Sequence, residues 1–197
     1  MRLLLVRHAE TEEAARGRCY GSLDVGLSPR GMSQRAALAE LLAGEPIAAV
    51  VTSPRVRAVE TARAIVGPHR LDLRVDSDLR ELDFGDLEGR TYDEIAATLP
   101  ELYAEWMTHP TRVRFPGGEG YADLKERALR AVAATREHLD GRTAAFVTHG
   151  GIVRAVLADA LGIPDERIFG IAVDPASVSL VEWREGVPVV LGVNRAA

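Results

Sequence analysis

At 197 residues, 47% hydrophobic and 27% charged with a net charge of -5, the chain suits one globular domain spanning 1–197 with a substantial core. A net negative balance supplies no general basic field, which sets aside nucleic acid and anionic membrane surfaces as partners. The single cysteine, Cys19, excludes an intramolecular disulfide and fits a reducing compartment.

The chain opens with "MRLLLVRHAET". Leu3 to Val6 reads as a short, continuously apolar strand, the pattern of a sheet covered on both faces. It is far too short for a signal peptide or a membrane span, and no other stretch approaches one, so a cytoplasmic location is expected. "LSPRGMSQRAALAELLAG" predicts a helix with Ser28 as N-cap, Pro29 at the first helical position and Gly44 as its stop. "IAAVVTS" predicts a second buried strand, followed by a helix from about Arg55 to Val66. "LDLRVDSDLRELDFG" alternates like a half-buried strand and then becomes a loop. Helical segments follow around Tyr92 to Thr98 and Glu101 to Thr108, then the proline- and glycine-rich loop "THPTRVRFPGGEG".

A long amphipathic helix is predicted from about Tyr121 to Leu139, with Tyr121, Leu124, Ala128, Val132 and Leu139 at helical spacing. "TAAFVTHGG" is a third apolar strand, ending in His149 and two glycines, and "IVRAVLADALG" is the helix after it. "ASVSLVEWREGVPVVLGV" closes the chain as a hairpin around Glu185-Gly186. Strands alternating with helices indicate a three-layer α/β fold: a mostly parallel central sheet, helices on both faces, and a helix-and-loop cap over about 86–120, expected at the sheet edge.

Three strand ends then carry one kind of chemistry. The first ends in Arg7-His8, the second runs through "TSPRVR" into a helix, and the third ends in His149-Gly150-Gly151 before another helix. Ligands of α/β sheets gather beyond the carboxyl ends of strands, and a helix N-terminus presents free N–H groups there. Each feature alone has an ordinary explanation; an Arg-His pair or a glycine turn is common. Their joint occurrence points to an anion pocket suited to phosphate. Of the 24 basic residues only Lys125 is a lysine, so guanidinium forks are at hand.

A metal site is not expected, nor any cofactor: His8, His69, His109, His138 and His149 show no ligand spacing and none lies near Cys19. P-loop and nucleophile-elbow patterns are absent too. A metal-free phosphate pocket needs its own nucleophile, which imidazole can supply, and its own proton donor. "LRELDFGDLEG" offers Glu81, Asp83, Asp86 and Glu88, of which Glu81 follows most directly on a strand.

"LVRHAET", "TSPRVRAVETA", "RELDFGDLEG", "PGGEGY" and "VTHGG", in that order over most of the chain, resemble the histidine phosphatase superfamily. This is the branch of cofactor-dependent phosphoglycerate mutases, broad phosphatases and α-ribazole phosphatases. The resemblance implies a nucleophilic His8 that becomes phosphohistidine. It implies a clamp of Arg7, Arg57 and His149 with the Gly150 N–H, and Glu81 as proton donor. Tyr20 and Gly21 fall where relatives contact substrate. Two positions depart from the pattern: Ala9 replaces the usual glycine, and Ala14 replaces an asparagine that touches phosphate.

The short chain without an Arg-Arg pair favours a phosphatase over a mutase, although Arg112 and Arg114 offer substitute basic groups. "GGEGY", "LGIPDERIFGIAVDPASVSLVE" and "LGVNRA" look most like α-ribazole phosphatases, which implies a small phosphate ester such as α-ribazole 5′-phosphate, or its cobalamin-linked form, as substrate. A phosphoglycerate mutase, a broad sugar-phosphate phosphatase and a non-catalytic phospho-ligand module are the alternatives; intact His8 and Glu81 argue against the last. A homodimer is compatible with the chain.

Overall fold

The computed structural model describes residues 1–139 and 141–196. The apolar run at the N-terminus is β1 (Arg2–Arg7), and it lies inside a six-stranded sheet. Parallel to it run β4 (Thr143–Thr148), β2 (Ile47–Thr52) and β3 (Leu73–Val75). On its other side lie antiparallel β5 (Ser177–Arg184) and β6 (Val187–Ala196), giving the order β3-β2-β4-β1-β5-β6.

Both faces of β1 are buried, which is why its sequence does not alternate. Leu3 and Leu5 enter a core made with α5 (Tyr121–His138) and α6 (Gly150–Leu161). Leu4 and Val6 enter the opposite core with α1 (Pro29–Leu42) and α2 (Val56–His69). This is the expected three-layer arrangement. Ser28 caps α1 by accepting from the Gly31 N–H at 2.9 Å, with Pro29 at the first helical position.

Some boundaries differ from expectation. α2 runs to His69, past the expected Val66; its last turn is tied down by the His69 Nε2–H donating to the Leu42 carbonyl, and Arg70 closes it in the left-handed region. β3 keeps only three residues of its alternating stretch. There the Asp76 carboxylate accepts from the Asp78 N–H at 2.8 Å and turns the chain into a 3-10 turn at Ser77–Leu79. The closing hairpin turns as read: Glu185 (φ 51°) and Gly186 (φ 84°) form the mirror-image two-residue turn that matches strand twist.

The cap comprises α3 (Tyr92–Thr98), started by the Thr91–Glu94 capping box, and α4 (Pro100–Thr108). It has its own small core of Cys19, Leu87, Ile95, Trp106, Val113 and Phe115. Backbone bonds fasten it to the loop after β1: Cys19 N–H to Arg90 O at 3.0 Å, and Gly89 N–H to Cys19 O at 2.7 Å. The cap is therefore anchored at the carboxyl end of the sheet, not to an edge strand. Burial, then the nearby Glu88, pushes the Cys19 thiol up to about 12. Among the described residues no helix is long and apolar enough to cross a membrane.

Candidate active site

Strand register assembles the site. Arg7 pairs with Thr148 across β1 and β4, and Thr52 pairs with Val147 across β2 and β4. The ladder continues one residue further: His8 N–H donates to Thr148 O at 2.8 Å and Ser53 N–H to Val147 O at 3.0 Å. The first residues past three parallel strands, His8, Ser53 and His149, thus stand side by side. The His8 and His149 rings meet edge-on with centroids 5.1 Å apart.

His8 is 4% exposed, and its Nδ1 lies 2.7 Å from the Ala9 carbonyl. A carbonyl only accepts, so the ring proton sits on Nδ1 and Nε2 keeps a free lone pair. Burial, then the charges of Arg57 and Arg7, hold His8 well below the ordinary histidine range. Such a low proton affinity favours the neutral ring. Ala9 is fully buried, and its N–H donates to Thr61 Oγ1 at 3.1 Å. Thr61 in turn donates to Arg57 O.

Arg57 is fully buried on the first turn of α2. Its terminal nitrogens donate to the carbonyls of Leu23, Tyr20 and Gly21 at 2.8 to 3.0 Å, and its guanidinium lies over the Tyr20 ring. The Arg7 Nη1 donates to Val173 O at 2.6 Å. His149 Nε2 shares a 2.7 Å hydrogen bond with Ser53 Oγ, which also accepts from the Arg55 N–H. Burial, then Arg57 and His8, lowers His149 well below the usual range.

Three buried nitrogens in this group have no hydrogen-bond partner: Arg7 Nε, Arg57 Nε and His149 Nδ1. They are half of the six buried side-chain polar atoms without partners among the described residues. Native interiors rarely leave such donors orphaned. The N-terminus of α6, with its positive end, lies at the same end of the sheet.

Glu81 is held at that same helix end. Its Oε2 accepts from the Gly151 N–H at 3.2 Å, and its Oε1 from the Leu82 N–H at 3.0 Å. Gly151 must be glycine for this fit, since a Cβ would stand 2.4 Å from Glu81 Oε1. Behind Glu81, the 2%-exposed Arg127 donates to the carbonyls of Asp78, Arg80 and Glu81 and pairs with Glu119. Glu119 also accepts from the Asp83 N–H at 3.2 Å.

A pocket of about 160 Å³ opens on His8, lined by Arg7, Glu10, Thr11, Glu12, Arg16, Tyr20 and Pro175. Tyr20 is on its wall; Gly21 is one layer back, where a Cβ would fall 1.7 Å from the Leu82 carbonyl oxygen. Ala14 is exposed and does not line the pocket, while Arg16 does. Arg112 pairs with Glu166 and Arg114 with Asp123, so neither substitute basic group stands free. Among the described residues no group of three or more His, Cys, Asp or Glu could hold a metal ion.

Sequence reading brought His8, Arg7, Arg57, His149, Gly150, Glu81 and Tyr20 to this end of the sheet and missed four supporting residues. Ser53 and Thr61 carry no periodic signal. Arg154 does: it lies one helical turn after Gly150, and its Nη1 is 3.0 Å from where a Gly150 Cβ would be, beside Arg7. Arg127 carries one too, falling within the apolar stripe between Leu124 and Ala131.

The fold and this set of donors define an α/β enzyme that handles phosphate esters. The chain belongs to the histidine phosphatase superfamily (branch 1), whose family model matches residues 3–196, and it is a phosphatase. It is 31% identical over 194 residues to phosphoserine phosphatase 1 of Hydrogenobacter thermophilus, covering 98% of this chain and 92% of that one. It is 29% identical over 197 residues to the adenosylcobalamin/α-ribazole phosphatase of Escherichia coli, covering 100% and 97%. Among solved structures, mycobacterial glucosyl-3-phosphoglycerate phosphatase superposes with a TM-score of 0.89 at 28% identity, covering 99% of each chain.

Proposed function

We propose that this phosphatase is a metal-independent phosphomonoesterase that works through a phosphohistidine on His8. The observation carrying this reading is the pair of orphaned guanidinium N–H donors, Arg7 Nε and Arg57 Nε, with the unpartnered His149 Nδ1, beside a histidine whose Nε2 is free. Nε2 attacks phosphorus in line with the ester bond. The phosphorus–oxygen bond breaks, and Glu81 gives its proton to the departing alkoxide. The resulting carboxylate then takes a proton from water, whose oxygen attacks the phosphoenzyme. The phosphorus–nitrogen bond breaks, inorganic phosphate leaves and His8 is regenerated. Arg7, Arg57, His149 and the Gly150 N–H hold the transferring group through both steps, where fixed donors are worth most.

For the substrate we propose α-ribazole 5′-phosphate or its cobalamin-linked form. The likeness to the Escherichia coli enzyme over the full chain supports it, together with the ion pairs that occupy Arg112 and Arg114, which weigh against a mutase. The phosphoserine phosphatase relative supports a second candidate. Glu12 and Arg16 at the pocket mouth offer one group to an ammonium and one to a carboxylate.

The test is kcat/KM over α-ribazole 5′-phosphate, O-phosphoserine, 3-phosphoglycerate and sugar phosphates, with rapid-quench trapping of labelled phosphoenzyme. Label on wild type and none on His8→Ala, with rates unmoved by EDTA, is the expected result. Glu81→Gln should lower kcat by about 10²- to 10⁴-fold. Activity lost to EDTA and restored by a divalent ion would overturn the mechanism, and a flat substrate profile would overturn the specificity.

A further inference from the structure

The mouth of the phosphate pocket carries a guanidinium that the phosphoryl transfer above does not use. The cavity on His8 and a neighbouring one of about 450 Å³ share Glu10, Thr11, Glu12 and Arg16, so the two form one opening on the loop after β1. Glu13 and Arg30 complete its charged groups. Glu10 is already engaged: it accepts from the Ser28 hydroxyl at 2.9 Å and pairs with Arg30 at 3.6 Å. Arg16 is not. Its side chain is exposed and three carboxylates line the same opening. It pairs with none of them, nor with any other carboxylate among the described residues.

The base of this side chain, by contrast, is fixed. The Arg16 N–H donates to Glu13 O at 2.9 Å and closes a 3-10 turn at Glu13–Ala15, with Ala15 buried beneath it. Glu12 N–H donates to Gly26 O at 3.1 Å, and Thr11 bridges to Leu27. The loop therefore holds Arg16 where its side chain lines a cavity of about 160 Å³ together with Arg7 and His8. In a space that small, a phosphoryl group on His8 lies within reach of the Arg16 fork. The buried clamp also has little left to give. Both terminal nitrogens of Arg57 are committed to carbonyls, and Arg7 Nη1 to Val173 O. Glu12 and Glu13, which no arginine pairs with, would repel an incoming dianion at the mouth.

We infer that Arg16 is a further phosphate ligand, one that folds onto the phosphoryl oxygens from the solvent side when an ester binds and offsets the carboxylates at the mouth. The inference rests on the phosphomonoesterase reading and adds to it a movable donor beside the fixed ones. Arginine suits the role because its charge is permanent and its planar fork matches two oxygens at once. Arg16 then serves the phosphoryl group whichever alcohol leaves. Holding a carboxylate on the alcohol is the competing use of the same guanidinium.

Two readouts test this in wild type, Arg16→Ala, Arg16→Lys and Arg30→Ala: the Kd of inorganic phosphate by calorimetry, and kcat/KM for phosphoethanolamine and O-phosphoserine, which differ only in a carboxylate. Both arginines are exposed, so folding is spared, and thermal melting verifies it. Arg16→Ala should weaken inorganic phosphate by about tenfold, the worth of one charge-assisted contact, and lower kcat/KM for both esters by the same factor. Arg16→Lys keeps the charge without the fork and should recover part of each loss. Arg30→Ala removes an equal charge from the same rim and should move each value by less than about twofold, as expected of an exposed, screened group. Unchanged phosphate binding in Arg16→Ala, a loss confined to O-phosphoserine, or an equal loss in Arg30→Ala would each overturn the assignment while labelled phosphoenzyme still forms. No phosphoenzyme in wild type from either ester would instead overturn the reading beneath it.

Discussion

His8 combines two properties that seldom coexist in one side chain: it is almost wholly buried, and in the proposed mechanism it must react. Burial and two guanidiniums lower its proton affinity, which keeps Nε2 free, while the Ala9 carbonyl holds the Nδ1 proton and fixes the ring's direction. His149 shows the complementary solution. Its Nε2 is bonded to Ser53 Oγ, and its Nδ1 is buried without a partner. The Ser53 hydroxyl therefore orients the His149 ring, although it does not line the pocket on His8. Ser53→Ala should free the ring and weaken the phosphate grip by about tenfold in kcat/KM, near the cost of one mispaired buried group. Ser53→Thr, which keeps the hydroxyl, should recover most of it. Steady-state kinetics with inorganic phosphate as product inhibitor reads this directly. Equal phosphate inhibition in wild type and Ser53→Ala would remove Ser53 from the mechanism.

At the scale of elements, the N-terminus of α6 does two jobs. Gly150 lies beside Arg7 and Arg154, and Gly151 admits Glu81 so closely that its own N–H becomes a carboxylate partner. The loop carrying Glu81 is clamped from the opposite side by Arg127, which reaches out of α5 to three of its carbonyls. Burial alone would raise the Glu119 carboxyl, but hydrogen bonds and charge from Arg127, with Arg80, hold it below the ordinary value, so the clamp is an ion pair. Gly151→Ala separates stability from catalysis. Alanine favours a helix over glycine by roughly 0.5–1 kcal/mol, so the melting temperature should hold or rise. The new Cβ displaces Glu81, and a proton donor moved by about 1 Å can cost about 10²-fold in kcat. A variant with normal kcat would show that Glu81 does not act from the Gly151 N–H. A variant that melts early would show that α6, not Glu81, gave way.

At the scale of the molecule, the legible part of the fold was the part with covered faces. β1, β2 and β4 are buried on both sides, so each is a plain apolar run, and their shared carboxyl end placed His8, Arg57 and His149 together before any coordinate. β3 was read too long because an edge strand ends where Asp76 finds a local turn, and turn chemistry outcompetes alternation. Ser53 was illegible because one small polar residue after a strand has no period, and the cap's anchorage was illegible because backbone bonds leave no trace in residue type. Placing two histidines in this core has a consequence for the whole chain. His8 and His149 are both lowered well below 6.5 in the folded state. As pH falls below about 6.5 the unfolded chain takes up protons that these two buried rings refuse, so stability is full above that pH and declines beneath it. Each ring contributes a slope of up to about 1.4 kcal/mol per pH unit. The carboxylates Glu94, Glu119 and Asp123, all lowered, act only as pH falls through and beneath the ordinary carboxyl range, so the window above it belongs to the histidines. Thermal melting from about pH 7 to about pH 5 should therefore fall steadily in wild type, and His149→Gln should flatten the slope by about half, one of two protons. A wild-type melting temperature constant across that window would mean that both rings protonate freely in the fold, and His8 would then lose the neutral state on which its proposed attack depends.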